Sequence, residues 1–363
     1  MFYDRKLGLR TDHCTKMRIA IIFHKDPFAP PTGIDLVRLR AISFGFLEHG
    51  LRTEIIAPIL RPTTLDGKVP VYGLDRLGNS APYDIVKTCY HDSIRLVPSG
   101  TGNIVSRIVR VVDHNLPRRD ERFRANLLEC QELILRKAHT VIFNNEENRS
   151  RWLRMYGGSV QTALVPTGCP SAIPPPGKCP YGTDKKILLF LGSVASPRML
   201  IMLNELARSM TEIAEIHLVG LNKSLMYGDG TDSELDPLIV THGAKPEIET
   251  WDYIYHADLG LALATGPHSF DNDISKIYSY LRGGLPTLSE EPILNNELVV
   301  SLGYGDVFAY GDMEALVSRC KAILKNPPLK RRDQVMRFMV KEHSWDERVG
   351  RYMNLFKKIV ANK

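Results

Sequence analysis

The stretch Phe270–Pro286, FDNDISKIYSYLRGGLP, puts a serine and a lysine where they could handle a phosphate. Asp271, Asn272 and Asp273 are strong helix-capping residues, so the sequence predicts a helix from about Ile274. Ser275 and Lys276 then fall in its first turn. Free backbone N–H groups and the positive end of the helix dipole favour an anion there. A lysine in the first turn opposes the helix dipole, but its charge adds to the N–H groups to hold a diphosphate. An ordinary capped helix with a solvated lysine would show the same pattern. Gly283 and Gly284 end the helix, and Leu285-Pro286 open the next strand.

The elements that must position these residues alternate along the chain. Arg18–Phe23 (RIAIIF) is a continuous apolar run, as in a strand covered on both faces. A Pro/Gly-rich loop, HKDPFAPPTG, leads to a helix over Asp35–His49 closed by Gly50, and then to a strand at Glu54–Ala57. Further strands are predicted at Tyr83–Thr88, Ile108–Val112, Thr140–Phe143 and Thr162–Val165, with a helix over Arg122–Lys137. This is a doubly wound α/β pattern. The 18 residues GCPSAIPPPGKCPYGTDK carry five prolines and three glycines, and read as an interdomain linker. The pattern then restarts, with strands at Ile187–Leu191, Ile216–Val219, Leu238–Thr241, Leu259–Leu263, Pro286–Leu288 and Val307–Tyr310. Helices are predicted over Arg198–Met210, Ser275–Arg282, Met313–Lys325 and Ser344–Val360. The expected fold is two Rossmann-like domains facing a cleft. Residues 1–16 are a flexible leader, 17–168 the first domain, 169–186 the linker, 187–343 the second domain, and 344–363 a helix returning to the first.

Composition narrows the class. The chain has 363 residues, 44% hydrophobic and 24% charged, which excludes disordered and collagen-like chains. Its net charge of +6 is uneven. Residues 1–170 hold 25 Lys+Arg and 17 Asp+Glu, a net of +8, and the remainder holds 22 and 24, a net of −2. A basic half points to an anionic partner: a membrane surface, a nucleic acid or a phosphorylated substrate. Aromatic-interleaved basic motifs of nucleic-acid binders are missing, so no nucleic-acid partner is expected. Six scattered cysteines without a C-x2-C pair argue for reduced thiols and against zinc, with Cys169 and Cys179 near enough for one bridge. No apolar run reaches bilayer-spanning length, and the polar N-terminus reads as neither signal peptide nor anchor.

The order S-K-x-x-x-Y-L-x-x-G-x-P, carried by Ser275, Lys276, Tyr280, Leu281, Gly284 and Pro286, resembles the donor-sugar segment of group 1 GT-B glycosyltransferases. Four more stretches agree in order. RIAIIF with Gly33 resembles the first strand and glycine loop. LVPTG at Leu164–Gly168 resembles the end of the N-domain, LLFLGS at Leu188–Ser193 the start of the C-domain, and HSWDERVGRYMNLFKKI the closing helix. The chain departs from the family where retaining members have Glu-x7-Glu, since Asp271 and Ser279 stand there. It departs again after Gly192-Ser193, where only Arg198 supplies a cation. In this the chain is similar to a divergent inverting branch, the glucuronosyltransferases of xanthan-type polysaccharide assembly.

The resemblance implies transfer of a sugar from a UDP- or GDP-sugar to a glycan or lipid-linked acceptor, in cell-surface polysaccharide or glycolipid assembly. A retaining transferase, or an epimerase of the same fold, is the alternative. Inverting transfer needs a general base near the acceptor hydroxyl. Asp113, at the end of the run IVRVV, fits, with His114 and His91 as alternatives and a capping role for Asp113 equally open. Lys276, Ser275, Gly192 and Ser193 would meet the diphosphate. His242 and Gly243 would lie against the nucleobase and Glu247 or Glu249 against the ribose. The resemblance further implies no metal and no other cofactor. It implies a cytoplasmic enzyme, peripheral at the inner face of the membrane, with Arg118, Arg119, Arg122, Arg124, Arg136 and Lys137 toward the acceptor or anionic lipid. A solvated charged helix accounts for these basic residues equally well.

Overall fold

The computed structural model describes residues 17–29, 34–78, 83–113, 121–223, 234–268 and 273–361. The chain divides into two compact units, Met1–Val165 with Val349–Lys363, and Pro166–Arg348. Gly33, His114, Arg118, Arg119 and Asp271 lie outside the described residues.

The first unit runs β1 (Arg18–Ile22), α1 (Ile34–Glu48), β2 (Arg52–Ile56), β3 (Thr63–Leu65), β4 (Val69–Tyr72), β5 (Ile85–Thr88), β6 (Ile104–Ile108), α2 (Glu121–Lys137), β7 (Thr140–Phe143), α3 (Glu146–Tyr156) and β8 (Gln161–Leu164). Its eight-stranded sheet has the order β3-β4-β2-β1-β5-β6-β7-β8. Every pair is parallel except β3 with β4. Strand order reverses between β1 and β5, which opens a crevice at their carboxyl ends. Alternate residues serve opposite faces. Ala20, Ile22, Val86 and Phe143 pack with Cys130, Ile134 and Trp152 of α2 and α3. The other face carries Lys87 and Arg107, and both reach Tyr352 near the chain's end.

The strand predicted at Ile108–Val112 lies four residues earlier. Ser106 and Arg107 interrupt the apolar run and hide the strand from a hydrophobic pattern. In the structure the Ser106 hydroxyl pairs with Thr88 Oγ1 at 3.0 Å, and Arg107 is fully buried. The valines that suggested a strand leave the sheet. Val111 N–H donates to Asn148 Oδ1 and Val112 N–H to Gln131 Oε1, both at 2.8 Å. Asp113 therefore does not end a strand.

The second unit runs β9 (Lys186–Leu191), α4 (Pro197–Met210), β10 (Ala214–Val219), β11 (Ile239–Thr241), α5 (Thr250–His256), β12 (Leu259–Ala262), α6 (Ser275–Arg282), β13 (Thr287–Glu290), α7 (Asn296–Leu302), β14 (Gly305–Phe308), α8 (Met313–Lys325) and α9 (Arg332–His343). The closing helix α10 (Trp345–Ala361) begins here, and from Val349 onward it belongs to the first unit. The six-stranded sheet is parallel, in the order β11-β10-β9-β12-β13-β14, and reverses between β9 and β12. Leu188, Phe190, Ile216 and Leu218 pack under α4 and α8. Leu189 and Val219 pack on the other face with Ile254, Tyr280 and Leu285.

The Pro/Gly-rich stretch is laid along α5. Trp251 Nε1 donates to Pro175 O at 3.3 Å, and Tyr181 Oη to Tyr253 O at 2.6 Å. Cys169 is buried, Cys179 is exposed, and both are free, so the bridge between them does not form. Among the described residues no helix is long and apolar enough to cross a membrane.

Candidate functional site

In the second unit the chemistry gathers where β9 and β12 part. β12 pairs with β9 only at Leu259–Leu188 and Gly260–Leu189. The fully buried Tyr280 hydroxyl fills the gap above. It accepts from Leu191 N at 2.7 Å and lies 3.1 and 3.2 Å from the carbonyls of Leu189 and Leu261, to which it can donate. The ring fits because residue 260 is glycine, where a Cβ would sit 2.6 Å from Tyr280 Cδ2. One residue beyond Leu191 the backbone turns at Gly192, with φ of +97°, a conformation that favours glycine. Its N–H remains tied to Val219 O at 2.8 Å.

Tyr280 thus locks α6 to the end of β9, and α6 carries Lys276. A Cβ on Gly192 would lie 4.0 Å from Lys276 Cε. The ammonium sits over the Phe190 ring, 3.6 Å from its centroid. No carboxylate or hydrogen-bond acceptor pairs with it among the described residues, and burial pushes it down to about 7. Ser275 is the first residue of α6, with Ile274 as N-cap and no side-chain cap. The N-cap position falls on Ile274 and not on Asp273, the one described residue of the three. Asn295 braces that position, exchanging hydrogen bonds with Ile274 N and O at 3.3 and 2.7 Å. Ser275 and Lys276 form the first turn of α6, with Gly192 beside the Lys276 side chain, and free N–H groups in such a turn suit an anion. Ser279 follows on α6, half-buried, one turn along.

The His242 ring turns into a cluster. It stacks on His217 at 5.2 Å, with Nε2 2.9 Å from His217 Nδ1, and meets Tyr253 edge-on. Burial lowers both histidines. His242 is a packed, half-buried side chain, and Gly243 to Pro246 after it stand exposed. Glu247 is exposed in the 3-10 turn Glu247–Glu249, and the charge it feels is Arg282, at the far end of α6 from Lys276.

The sequence reading did not include Glu290. This fully buried carboxylate ends β13, pairs with Arg198, and accepts from Ala264 N and Gly311 N, both at 2.8 Å. Arg198 also donates to Ala264 O at 3.2 Å. Arg198 is therefore committed within the protein, and Lys276 is not.

In the first unit the crevice between β1 and β5 holds a histidine that sequence reasoning missed. His24 follows β1, stacks on Tyr90 at 5.4 Å, and places Nδ1 3.4 Å from Ser93 Oγ. Its Nε2 faces Asp92 Oδ2 at 4.0 Å, and Asn126 Nδ2 donates to the other carboxylate oxygen at 2.9 Å. Burial and, after it, the charge of Lys25 lower His24, so it is neutral near pH 7. A usable signal was present: His24 directly follows the clearest strand run in the chain.

His91 is fully buried and its ring has no hydrogen-bond partner among the described residues, although Nε2 lies 3.3 Å from Asp92. Burial pushes it well down. Asp113 is partly exposed, with Arg151 Nη1 at 3.8 Å. Members of the basic stretch have partners within the protein. Lys137 donates to Val97 O at 2.6 Å, and Arg124 lies 3.8 Å from Glu121. No group of three or more His, Cys, Asp or Glu gathers as a metal-binding set among the described residues.

The architecture is the GT-B fold, two doubly wound units in tandem. The chain is similar to sucrose-phosphate synthase from Thermosynechococcus elongatus, with a TM-score of 0.73 at 15% identity over 96% of this chain and 100% of that one. It is similar to WaaG, a glycosyltransferase involved in lipopolysaccharide biosynthesis, with a TM-score of 0.64 at 12% identity over 94% and 99%. It is also similar to Anabaena HepE in complex with UDP and glucose, with a TM-score of 0.67 at 13% identity over 94% and 99%. The sequence matches no protein-family model and no curated protein.

Proposed function

We propose that the protein is a glycosyltransferase that moves a sugar from a nucleoside-diphosphate sugar, a UDP-sugar first among them, to a glycan or lipid-linked acceptor. The observation that carries this reading is the Lys276 ammonium at the head of α6, without a counter-charge among the described residues and beside Gly192, where the strand order reverses. Ligands of open α/β sheets bind at such points. A diphosphate would supply the counter-charge that Lys276 lacks. As the sugar leaves, Lys276 and the α6 N–H groups would stabilise the charge growing on the leaving diphosphate. Three of the similar structures contain UDP, with glucose, alone or as UDP-glucose, which supports the donor class.

The reading is inverting. No second glutamate follows Asp271 at the required spacing, because Ser279 stands there. The geometry favours His24 over Asp113 as the base. His24 sits at the switch point, neutral and backed by Asp92, whereas Asp113 already faces Arg151. In this mechanism His24 takes the proton of the acceptor hydroxyl as the hydroxyl oxygen attacks the anomeric carbon. Asp92 orients the ring and stabilises the imidazolium that forms. No step calls on a metal. A place at the inner face of a membrane belongs to the same proposal, resting on the basic first half.

The test is a thermal-shift screen with UDP, GDP and their sugars against the wild type and Lys276→Met. A bound donor raises the melting temperature by mass action. UDP or a UDP-sugar should raise it in the wild type and much less in the variant. If no nucleoside diphosphate shifts the wild type, the proposal fails.

A further inference from the structure

The face of the first sheet turned toward α1 and α10 holds three buried cations close together. Lys87 comes from β5 and is 1% exposed, Arg107 from β6 at 1%, and Arg38 from α1 at 4%. They converge on one phenol. Arg107 Nη1 lies 3.3 Å from Tyr352 Oη, and Lys87 Nζ sits 5.0 Å from the centroid of the same ring. Burial alone would raise the Tyr352 phenol, but Lys87, Arg107 and Arg38 together hold it below its ordinary value. Burial and, after it, the charge of Arg107 lower Arg38.

Among the described residues this charge is not balanced. The carboxylate at hand is Asp35, which lies 3.3 Å from Arg38 Nη1 and is shared with the exposed Lys25 at 3.5 Å. Cys89, the other titratable group nearby, is raised by burial and stays neutral. Three cations against one shared carboxylate leave about two positive charges, in a place where an uncompensated ion costs several kcal/mol.

The hydrogen bonding is one-sided too. Arg107 spends Nη1 on Val165 O at 3.0 Å and on Tyr352. Its Nε and Nη2 are buried and have no partner among the described residues, and neither has Nε of Arg38. Nε and Nη2 form one edge of the planar guanidinium, the fork that grips two oxygens of an oxyanion.

We propose that Arg107, Arg38 and Lys87 form an oxyanion site for a phosphate group carried by the acceptor. A phosphate dianion matches the residual charge of two, and a carboxylate would leave one. Lys87 acts as a point charge and Arg107 as the bidentate grip. The inference rests on the glycosyltransferase reading for the identity of the ligand as acceptor. The site itself stands on the geometry.

The experiment compares the full-length wild type, Arg107→Met, Lys87→Met and Lys276→Met by thermal shift and calorimetry, with inorganic phosphate and UDP as separate probes. Phosphate should bind the wild type and Lys276→Met alike, and bind Arg107→Met and Lys87→Met at least tenfold more weakly. UDP should bind Arg107→Met as it binds the wild type. Equal phosphate affinity in Arg107→Met, or no phosphate binding by Lys276→Met, would overturn the site. Should Arg107→Met fail to fold, Arg107→Lys keeps the charge without the fork and carries the same expectation. Loss of the UDP response in the wild type would instead sink the glycosyltransferase reading and leave the phosphate result standing. A hexose phosphate that displaces inorganic phosphate assigns a soluble acceptor, and a short polyprenyl phosphate that does so assigns a lipid-linked one. Displacement by neither overturns the acceptor role.

Discussion

Replacing Lys276 with methionine removes the charge of this side chain and keeps most of its bulk. Burial holds the ammonium at about 7, against 10.5 for an ordinary lysine. The folded chain therefore binds fewer protons than the unfolded chain between those two values, and stability rises with pH across that window. Below about pH 7 both states carry the proton and the full desolvation cost is felt. Complete exclusion from water would set that cost at about 5 kcal/mol. Lys276 keeps some solvent contact, and the Phe190 ring offsets part of the cost, so a value of about 2 kcal/mol is the fair expectation. Lys276→Met should then stabilise the unliganded protein by about 2 kcal/mol near pH 6.5, with the gain fading toward about pH 10. UDP should reverse the balance. Its diphosphate restores the ammonium, so binding at about pH 8.5 takes up close to one proton in the wild type and none in the variant. Losing the charged contact should weaken UDP by about 1.5–3 kcal/mol, roughly 10- to 150-fold. Melts across pH test the first half, and calorimetry in two buffers of different ionisation enthalpy tests the second. UDP affinity unchanged in the variant, or a variant less stable than the wild type near pH 6.5, would refute the reasoning.

Other substitutions probe the supports of the two sites. Gly260→Ala drives a methyl into the Tyr280 ring, and should cost about 1–3 kcal/mol in denaturant unfolding while weakening UDP. Tyr280→Phe strands the Leu191 N–H, and should cost about 1–3 kcal/mol with little change in secondary structure by circular dichroism. His24→Asn should lower kcat by about 10²–10⁴ and leave UDP binding intact, and wild-type activity should fall on the acid side as His24 protonates below its ordinary 6.5. Asp113→Asn should keep most of the activity, and a loss matching that of His24→Asn would return the base to Asp113.

Most of the fold was legible because the strands of a doubly wound sheet are covered on both faces. RIAIIF and ILLFL announce themselves as apolar runs, and α6 and α8 have the bounds read from the sequence. What escaped notice did so for physical reasons. β6 contains Ser106 and Arg107, whose partners Thr88, Val165 and Tyr352 are remote in sequence. α9 and the β3–β4 hairpin lack a clear apolar period and are held by tertiary contacts. The His24–Asp92 pairing spans 68 positions and exists only because β1 lies beside β5. Glu290 looked like the end of a strand, and nothing local says that Arg198 waits for it.

That last pairing bears on why Lys276 is where it is. After β9 the chain offers one cation, Arg198, six residues beyond Gly192. An arginine free at that point could itself grip a diphosphate. Here Glu290 neutralises it, and the Ala264 carbonyl and the Tyr310 ring, 3.9 Å from the guanidinium carbon, fix its plane. The same carboxylate holds Ala264 N and Gly311 N, so one buried ion pair ties the start of α4 to the loops that follow β12 and β14. Charge spent on scaffolding cannot also meet a ligand, and the anion-binding charge must come from another element. α6 supplies it. A lysine in the first turn of a helix is unfavourable for the helix and for a buried site alike, and both penalties are relieved by the same event, the arrival of an anion. It follows that Glu290→Gln should loosen Arg198 and the two loops. If Arg198 then becomes a second cation for the diphosphate, the double variant Glu290→Gln, Lys276→Met should bind UDP more tightly than Lys276→Met alone. Calorimetry on the two proteins reads this directly. A double variant that binds UDP more weakly than Lys276→Met would show that Glu290 serves the donor through loop geometry, and that the division of charge between Arg198 and Lys276 is not the reason for the lysine.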